Sequence, residues 1–348
     1  MMATSAGDGL TSLTADDIRA VPAEVIEALR SARRVLTICH EKPESDALGS
    51  ALATALIVEQ LGARATPVCA DPVPEMYAFM PLVERFRTEP DPEAEYDLIV
   101  VGDCGDLERV GPVLTRYPRL FSSVPIVNID HHISNTGFGA IDWVDAAAAA
   151  TCEMVTLLCP ALGVRLDAAD GAIAASLIAG VVIDTANFQH PNTTPRTLRV
   201  AAELVAAGAP LYDTARRLYR TKPNRQLALF GRVLGRLEED LDGRLVWASF
   251  TSDDLVSTGA LPDEAEGLSD LLSQSASGQL VVLFKQDAPA STRISVRTKE
   301  GGIDATALTA FFGGGGHARA AGATVPLPLG EATDVVLGLA RQLLDPGQ

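Results

Sequence analysis

The apolar run Val124-Pro125-Ile126-Val127-Asn128-Ile129 passes directly into Asp130-His131-His132. A short aliphatic run of this kind reads as a buried strand, and it stops at one carboxylate and two imidazoles, all metal-ligating side chains. In open α/β folds, ligands bind at the carboxyl ends of the strands. A chain built this way has to end a buried strand at a polar, cation-binding edge. The pattern recurs: Arg34-Val35-Leu36-Thr37-Ile38-Cys39 leads into His40, and the run 98–102 leads into Asp103. Asp184 closes a further apolar stretch, 176–183.

Between these runs the periodicity changes. After His40 a polar loop gives way to a helical segment over about 46–61, with Gly62 as its stop signal. Strands are expected at 65–69, 98–101 and 126–129, and helices near 151–158, 168–182, 195–207 and 211–219. Alternation of this kind predicts an α/β fold, a mostly parallel sheet with helices on both faces. Past Thr221-Lys222-Pro223-Asn224 the order shifts to a helix (226–237), paired strands (244–250, 280–286, 293–298) and helices at 305–312 and 332–344. That is a smaller C-terminal α/β domain, with a cleft expected between the two. The length, 348 residues, agrees, because single cores stop growing at roughly 250–300 residues. Residues 1–18 are expected as a disordered tail, 19–217 as the first domain, 218–228 as a linker and 229–348 as the second.

Composition removes several function classes. A net charge of −17 argues against gripping long nucleic acid by neutralising many phosphates, while a short or mononucleotide substrate stays compatible. Positive charge is concentrated at Arg216, Arg217, Arg220, Lys222 and Arg225, then at Lys285, Arg293, Arg297, Lys299 and Arg319. No apolar run approaches the roughly 20 residues of a membrane span, and the small polar start has no secretory pattern, so a soluble, cytoplasmic protein is expected. Five cysteines without a CxxC pair read as reduced, buried residues.

The chemistry gathers in four segments. The loop His40-Glu41-Lys42-Pro43-Glu44-Ser45-Asp46 offers an imidazole and carboxylates just before a helix, and Asp103, Asp130-His131-His132 and Asp184 supply the rest. One aspartate at a strand end is usually a turn or a cap. A set of them converging on one edge would repel one another without a cation. Hard divalent ions take oxygen donors with some imidazole, and two ions about 3.5–4 Å apart can clamp the attacking and leaving oxygens of a phosphoryl displacement.

In this order, Asp130-His131-His132 with His40 to Asp46, Asp103 and Asp184 resembles the DHH superfamily of two-metal phosphoesterases, from about residue 20 to the C-terminus. The second half resembles the DHH-associated C-terminal domain, whose signature appears as Gly313-Gly314-Gly315-Gly316-His317 followed by Ala321-Gly322. Consecutive glycines let backbone N–H groups approach an anion, and His317 adds a donor. Asp184-Thr185-Ala186-Asn187-Phe188, Thr193-Thr194-Pro195-Arg196-Thr197-Leu198 and Ala201-Ala202-Glu203-Leu204 resemble the nano-RNase (oligoribonuclease) and pAp-phosphatase branch.

The resemblance implies a metal-dependent phosphoesterase that cuts short oligoribonucleotides, dinucleotides such as pApA or c-di-AMP, and pAp to mononucleotides by two-metal activation of water. It implies two Mn²⁺ ions, with Mg²⁺ or Co²⁺ as substitutes. His40, Glu44 and Asp103 would hold one ion; Asp46, His131 and Asp184 would hold the other, with Asp103 bridging. His132 would orient the phosphate or the metal shell beside His131, and Asp130 would fix the tautomer of an imidazole. Arg297, Gly314, Gly315, Gly316 and His317 would hold the substrate, with Arg196 as a further candidate. His190 would line the cleft or have no role. A homodimer through the first domain is implied as well. One departure stands out: the family pattern has Asp-Gly-Asp where this chain has Glu44-Ser45-Asp46. The extra methylene displaces the carboxylate, and Lys42 is an alternative partner for it. The alternative reading is therefore a nucleotide-binding protein with weakened or lost hydrolysis. A pyrophosphatase of the same superfamily is disfavoured by the glycine and histidine signature.

Overall fold

In the computed structural model, which describes residues 13–299 and 301–345, the aliphatic runs of the first half become parallel strands. These are β1 (Arg34–Ile38), β2 (Arg64–Val68), β3 (Leu98–Gly102), β4 (Ile126–Asp130) and β5 (Ile141–Val144), in the order β2-β1-β3-β4-β5. Neighbouring residues along each strand point to opposite faces, so two cores form. Val35, Val100, Val127 and Ile129 join one cluster; Leu36, Ile38, Ile99 and Val101 join the other. The first is covered by α2 (Ala23–Ser31), α3 (Ser45–Gln60), α6 (Thr151–Leu162) and α7 (Ala172–Asp184), the second by α4 (Pro112–Arg116) and α5 (Pro118–Ser123). Helices α1 (Ala15–Arg19), α8 (Pro195–Ala206) and α9 (Leu211–Tyr219) complete this unit.

Helices α3 and α7 are buried almost all round, as their mixed small and aliphatic sequences require. They approach closely at Gly49 and Gly180. A Cβ on Gly49 would lie 2.5 Å from the Ser176 carbonyl oxygen, and one on Gly180 would lie 2.4 Å from Asp46 Oδ1.

The chain divides between Thr221 and Lys222 into two compact units. The second holds α10 (Asn224–Leu234), β6 (Glu238–Asp240), β7 (Leu245–Phe250), α11 (Ser252–Thr258), α12 (Leu268–Ser273), β8 (Leu280–Ala288), β9 (Ser291–Thr298), α13 (Ala305–Thr309), β10 (Gly315–His317), β11 (Ala320–Val325) and α14 (Leu329–Leu344). Its sheet runs β10-β11-β9-β8-β7-β6, with only β7 and β8 parallel. Separate apolar clusters line its two faces.

Two expectations need correction. The proposed tail, 1–18, lies outside the described residues up to 12, but Ala15–Arg19 is helical. A Thr14/Asp17 capping box starts it, and Arg199 on α8 pairs with Asp17 at 3.0 Å. The connector is shorter than 218–228, since α9 runs to Tyr219 and α10 begins at Asn224. The glycine run forms one strand of an antiparallel hairpin: Gly315 pairs with Gly322 and His317 with Ala320. Glycine is needed there for packing, because a Cβ on Gly314 would sit 2.3 Å from the Gly322 carbonyl oxygen. All five cysteines are free and buried. Among the described residues, no helix is long and apolar enough to cross a membrane.

Candidate metal centre

The chain leaves β1 for β2 on one side, yet β3 pairs with β1 on the other. Strand order thus reverses between β1 and β3, where a crevice forms at the carboxyl edge of such sheets. His40, just past β1, and Asp103, directly after β3, flank that point. Asp103 is 2% exposed and adopts a left-handed φ of +59°, held by its N–H donating to the Ile129 carbonyl (3.0 Å). Asp130 ends β4 and carries His131 and His132 beyond it. Asp184 comes from a helix rather than a strand end, as the last residue of α7. Asp46 stands in the first turn of α3, and both its oxygens accept from the amino end of α6: Oδ2 from the Thr151 N–H (2.7 Å) and Oδ1 from the Cys152 N–H (2.8 Å).

These segments bring together His40, Glu44 and Asp103 in one group, Asp46, His131 and Asp184 in a second, and Asp103, His131 and His132 in a third. In each group the potential ligand atoms lie within 4.8 Å of one another. Asp103 faces both ways. Its Oδ2 is 3.4 Å from His40 Nε2 and its Oδ1 is 3.5 Å from His131 Nε2, while His131 Nε2 is also 3.2 Å from Asp184 Oδ2.

Two features of this geometry fit divalent cations. The first is the tautomers. His40 Nδ1 donates to the Glu41 carbonyl (2.7 Å) and His131 Nδ1 to the Ala148 carbonyl (3.3 Å), and a carbonyl can only accept. With a proton on Nδ1, each ring turns its Nε2 toward carboxylate oxygens, where a cation between them would take the Nε2 lone pair. The second is the carboxylates. Burial, then repulsion from Asp103 and Asp46, pushes Glu44 well above the usual carboxylate range, and burial with the charges of Asp46 and Glu44 does the same to Asp184. Asp46 is raised by burial and Asp103. Burial also acts against ionised Asp103, but the His40 contact and the charges of His131, His40 and His132 hold it down at about 2. Two buried carboxylates, Asp46 and Asp103, and two half-buried ones, Glu44 and Asp184, oppose one another's ionisation and make a candidate site for divalent cations.

His132 is held differently. Its Nδ1 donates to Asp130 Oδ1 (2.7 Å), and that bond outweighs partial burial and raises the imidazole's pKa. Asp130 is fully buried and also accepts from Asn135 Nδ2 (2.6 Å). Glu44 reaches the cluster and caps α3 as well, its Oε1 accepting from the Ala47 N–H (3.2 Å). Among the described residues, no ion pair joins Lys42 to Glu44. His190 is close by, its Nδ1 3.3 Å from the Asp184 carbonyl.

Arg196 stands apart from the ligands. It is clamped between Glu153 (2.5 Å) and Asp145 (2.8 Å). In the second unit, Arg297 Nε donates to Asp270 (2.8 Å), and Gly315, Gly316 and His317 are exposed. Sequence reasoning missed Thr151, whose partners Asp46 and Asp103 are remote in the chain, and Asn135 and Asn192, loop residues whose bonds to Asp130 and to the Ala149 and Asp184 carbonyls no motif announces; only the helix start at Thr151 was readable.

A parallel-sheet edge carrying this donor set, joined to a second mixed α/β unit, defines a metal-dependent phosphoesterase. The DHH family, N-terminal domain, matches residues 34–208 and the DHHA1 domain matches 245–344; the chain belongs to the DHH family. It is 34% identical over 324 residues to the bifunctional oligoribonuclease and PAP phosphatase NrnA of Thermus thermophilus, covering 92% of this chain and 93% of that protein. The corresponding NrnA of Bacillus subtilis is 29% identical over 307 residues, covering 87% and 92%. An exopolyphosphatase-related protein from Bacteroides fragilis shares the fold, with a TM-score of 0.81 at 22% identity over 94% of this chain and 97% of that one.

Proposed function

We propose that the chain hydrolyses short oligoribonucleotides, linear or cyclic dinucleotides such as pApA and c-di-AMP, and pAp to mononucleotides. The observation that carries this is the pair of separate ligand groups, His40 with Glu44 and Asp46 with His131 and Asp184, on either side of a single Asp103. Similarity to two relatives named as oligoribonuclease and PAP phosphatase supports the substrate class. The net charge of −17 suits a substrate of few phosphates.

Two Mn²⁺ ions, replaceable by Mg²⁺ or Co²⁺, would be held by these groups with Asp103 shared. When bound they would lower the pKa of water and offset charge on the phosphoryl oxygens. The chain's own residues do the rest. Asp130 keeps the Nδ1 proton of His132 in place, so Nε2 of that ring is free to act on a phosphate oxygen. Asp46, fixed by two backbone N–H groups, cannot swing away from His131. Arg297, Gly314, Gly315, Gly316 and His317 are the proposed substrate ligands of the second unit; Arg297 would exchange Asp270 for a phosphate. A homodimer and a cytoplasmic location complete the proposal.

A substrate panel tests it. With Mn²⁺, pApA and pAp should both yield AMP, and His131→Ala and Asp184→Ala should abolish release. Hydrolysis of pyrophosphate with pApA and pAp left intact would overturn the substrate assignment. Tight binding of pApA without turnover, restored by Glu44→Asp, would establish the nucleotide-binding alternative.

A further inference from the structure

Between β5 and α6 the chain crosses five consecutive alanines, Ala146 to Ala150. Their side chains have no chemistry, yet the backbone around them touches His131 and Asp46 of one group, and the Thr151 side chain touches the shared Asp103. The Ala148 carbonyl accepts from His131 Nδ1 (3.3 Å), the Thr151 and Cys152 amides grip Asp46, and Thr151 Oγ1 donates to Asp103 (3.1 Å). Asn192 Nδ2 donates to the carbonyls of Ala149 and Asp184, each at 3.2 Å. Ala148, Ala149 and Ala150 are buried, but their methyls offer only a small area with which to hold the segment in one conformation. Arg196 braces it from outside, with its Nε on Glu153 and its Nη2 beside Asp145, one at each end of the alanine run. Glu153 is fully buried, and its second oxygen accepts from the Ala149 N–H (3.2 Å) and Thr197 Oγ1 (2.7 Å).

We propose that Arg196 is a positioning residue for the metal centre, acting through loop 145–150, and that Asn192 ties the same loop to Asp184; this rests on the two-ion reading above. Metal sites tolerate only about 0.2 Å of error in ligand distance, so a loop that relaxes when its clamp is cut withdraws His131 and Asp46 together. Three side chains of one ligand group, Asp46, His131 and Asp184, thus depend on a segment whose shape is set by Arg196 and Asn192. A substrate ligand at Arg196 would act on KM instead, and an ion pair of purely structural value would act on the melting temperature alone.

The test is calorimetric titration of the metal-free full-length chain with Mn²⁺, paired with pApA kinetics at saturating Mn²⁺. Arg196→Gln should weaken one of two binding steps by about 10- to 100-fold, the range for removing a partner that orients a ligand, and leave the other within about twofold. Excess Mn²⁺ should restore much of kcat with KM unchanged. Asn192→Ala, which alters no charge, should weaken the same step and carries the test if Arg196→Gln does not fold. Wild-type Mn²⁺ binding in the variants, with a raised KM or merely a lower melting temperature, overturns the proposal. Wild-type protein that takes up no Mn²⁺ overturns the two-ion reading itself, a result distinct from variants that match a two-ion wild type.

Discussion

Glu44 carries two demands on one carboxylate. It caps α3 through Oε1 and belongs to the His40 and Asp103 group. Because its pKa is raised by burial and by neighbouring carboxylates, ionised Glu44 opposes folding near neutral pH when no cation is present. Glu44→Gln keeps the capping oxygen and removes the charge. Metal-free Glu44→Gln should therefore melt above metal-free wild type, and the order should reverse at saturating Mn²⁺, because binding stabilises the wild type more. Scanning calorimetry with and without Mn²⁺ reads this; the same order under both conditions would remove Glu44 from the ligand set. Gly180 is the second residue with a sharp expectation. Glycine to alanine inside a helix ordinarily stabilises by about 0.5–1 kcal/mol. Here the added methyl meets Asp46 Oδ1 and Cys152 Sγ, each at 2.4 Å, so Gly180→Ala should lower both the melting temperature and Mn²⁺ affinity.

At the scale of elements, the helix at the amino end of the described chain is held by distant chemistry. Burial acts to raise the pKa of Asp17, but bonds from Arg199 and Thr14 prevail and bring it down to about 2. A depressed carboxylate contributes stability that is present above its unfolded pKa, near 4, and is lost as pH falls toward 2. Asp17→Asn should cost about 1–3 kcal/mol at pH 7 and distinctly less at pH 3, measured by urea unfolding. The same distance effect explains what was legible in the sequence. Strands β1, β3 and β4 are predominantly aliphatic, and their ends name His40, Asp103 and Asp130 directly. β5 alternates a buried Trp143 with exposed Asp142 and Val144 in only four residues, and β11 is Ala-Ala-Gly-Ala-Thr-Val, nearly without the branched residues that signal a strand. The candidate ligands were readable because each lies at or next to the start or end of a recognisable element. The role of Arg196 was not, because Asp145 and Glu153 lie 51 and 43 positions away and only folding brings them together.

At the scale of the whole molecule, each unit has its own sheet and apolar clusters, so each has what independent folding needs. A fragment of residues 222–348 should unfold cooperatively in urea, and a fragment of residues 1–221 should bind Mn²⁺ as the full chain does while releasing no AMP from pApA. Full activity in that first fragment would show that the glycine hairpin and Arg297 are not substrate ligands. On the two-ion reading, hydrolysis depends on cations held around Asp103. The decisive measurement adds Mn²⁺ back to metal-free full-length protein and follows AMP release from pApA alongside bound metal. Release should be absent without metal, reach its plateau at two ions per chain and vanish in Asp103→Asn. Turnover that persists in the metal-free protein, or that Asp103→Asn leaves intact, would contradict it.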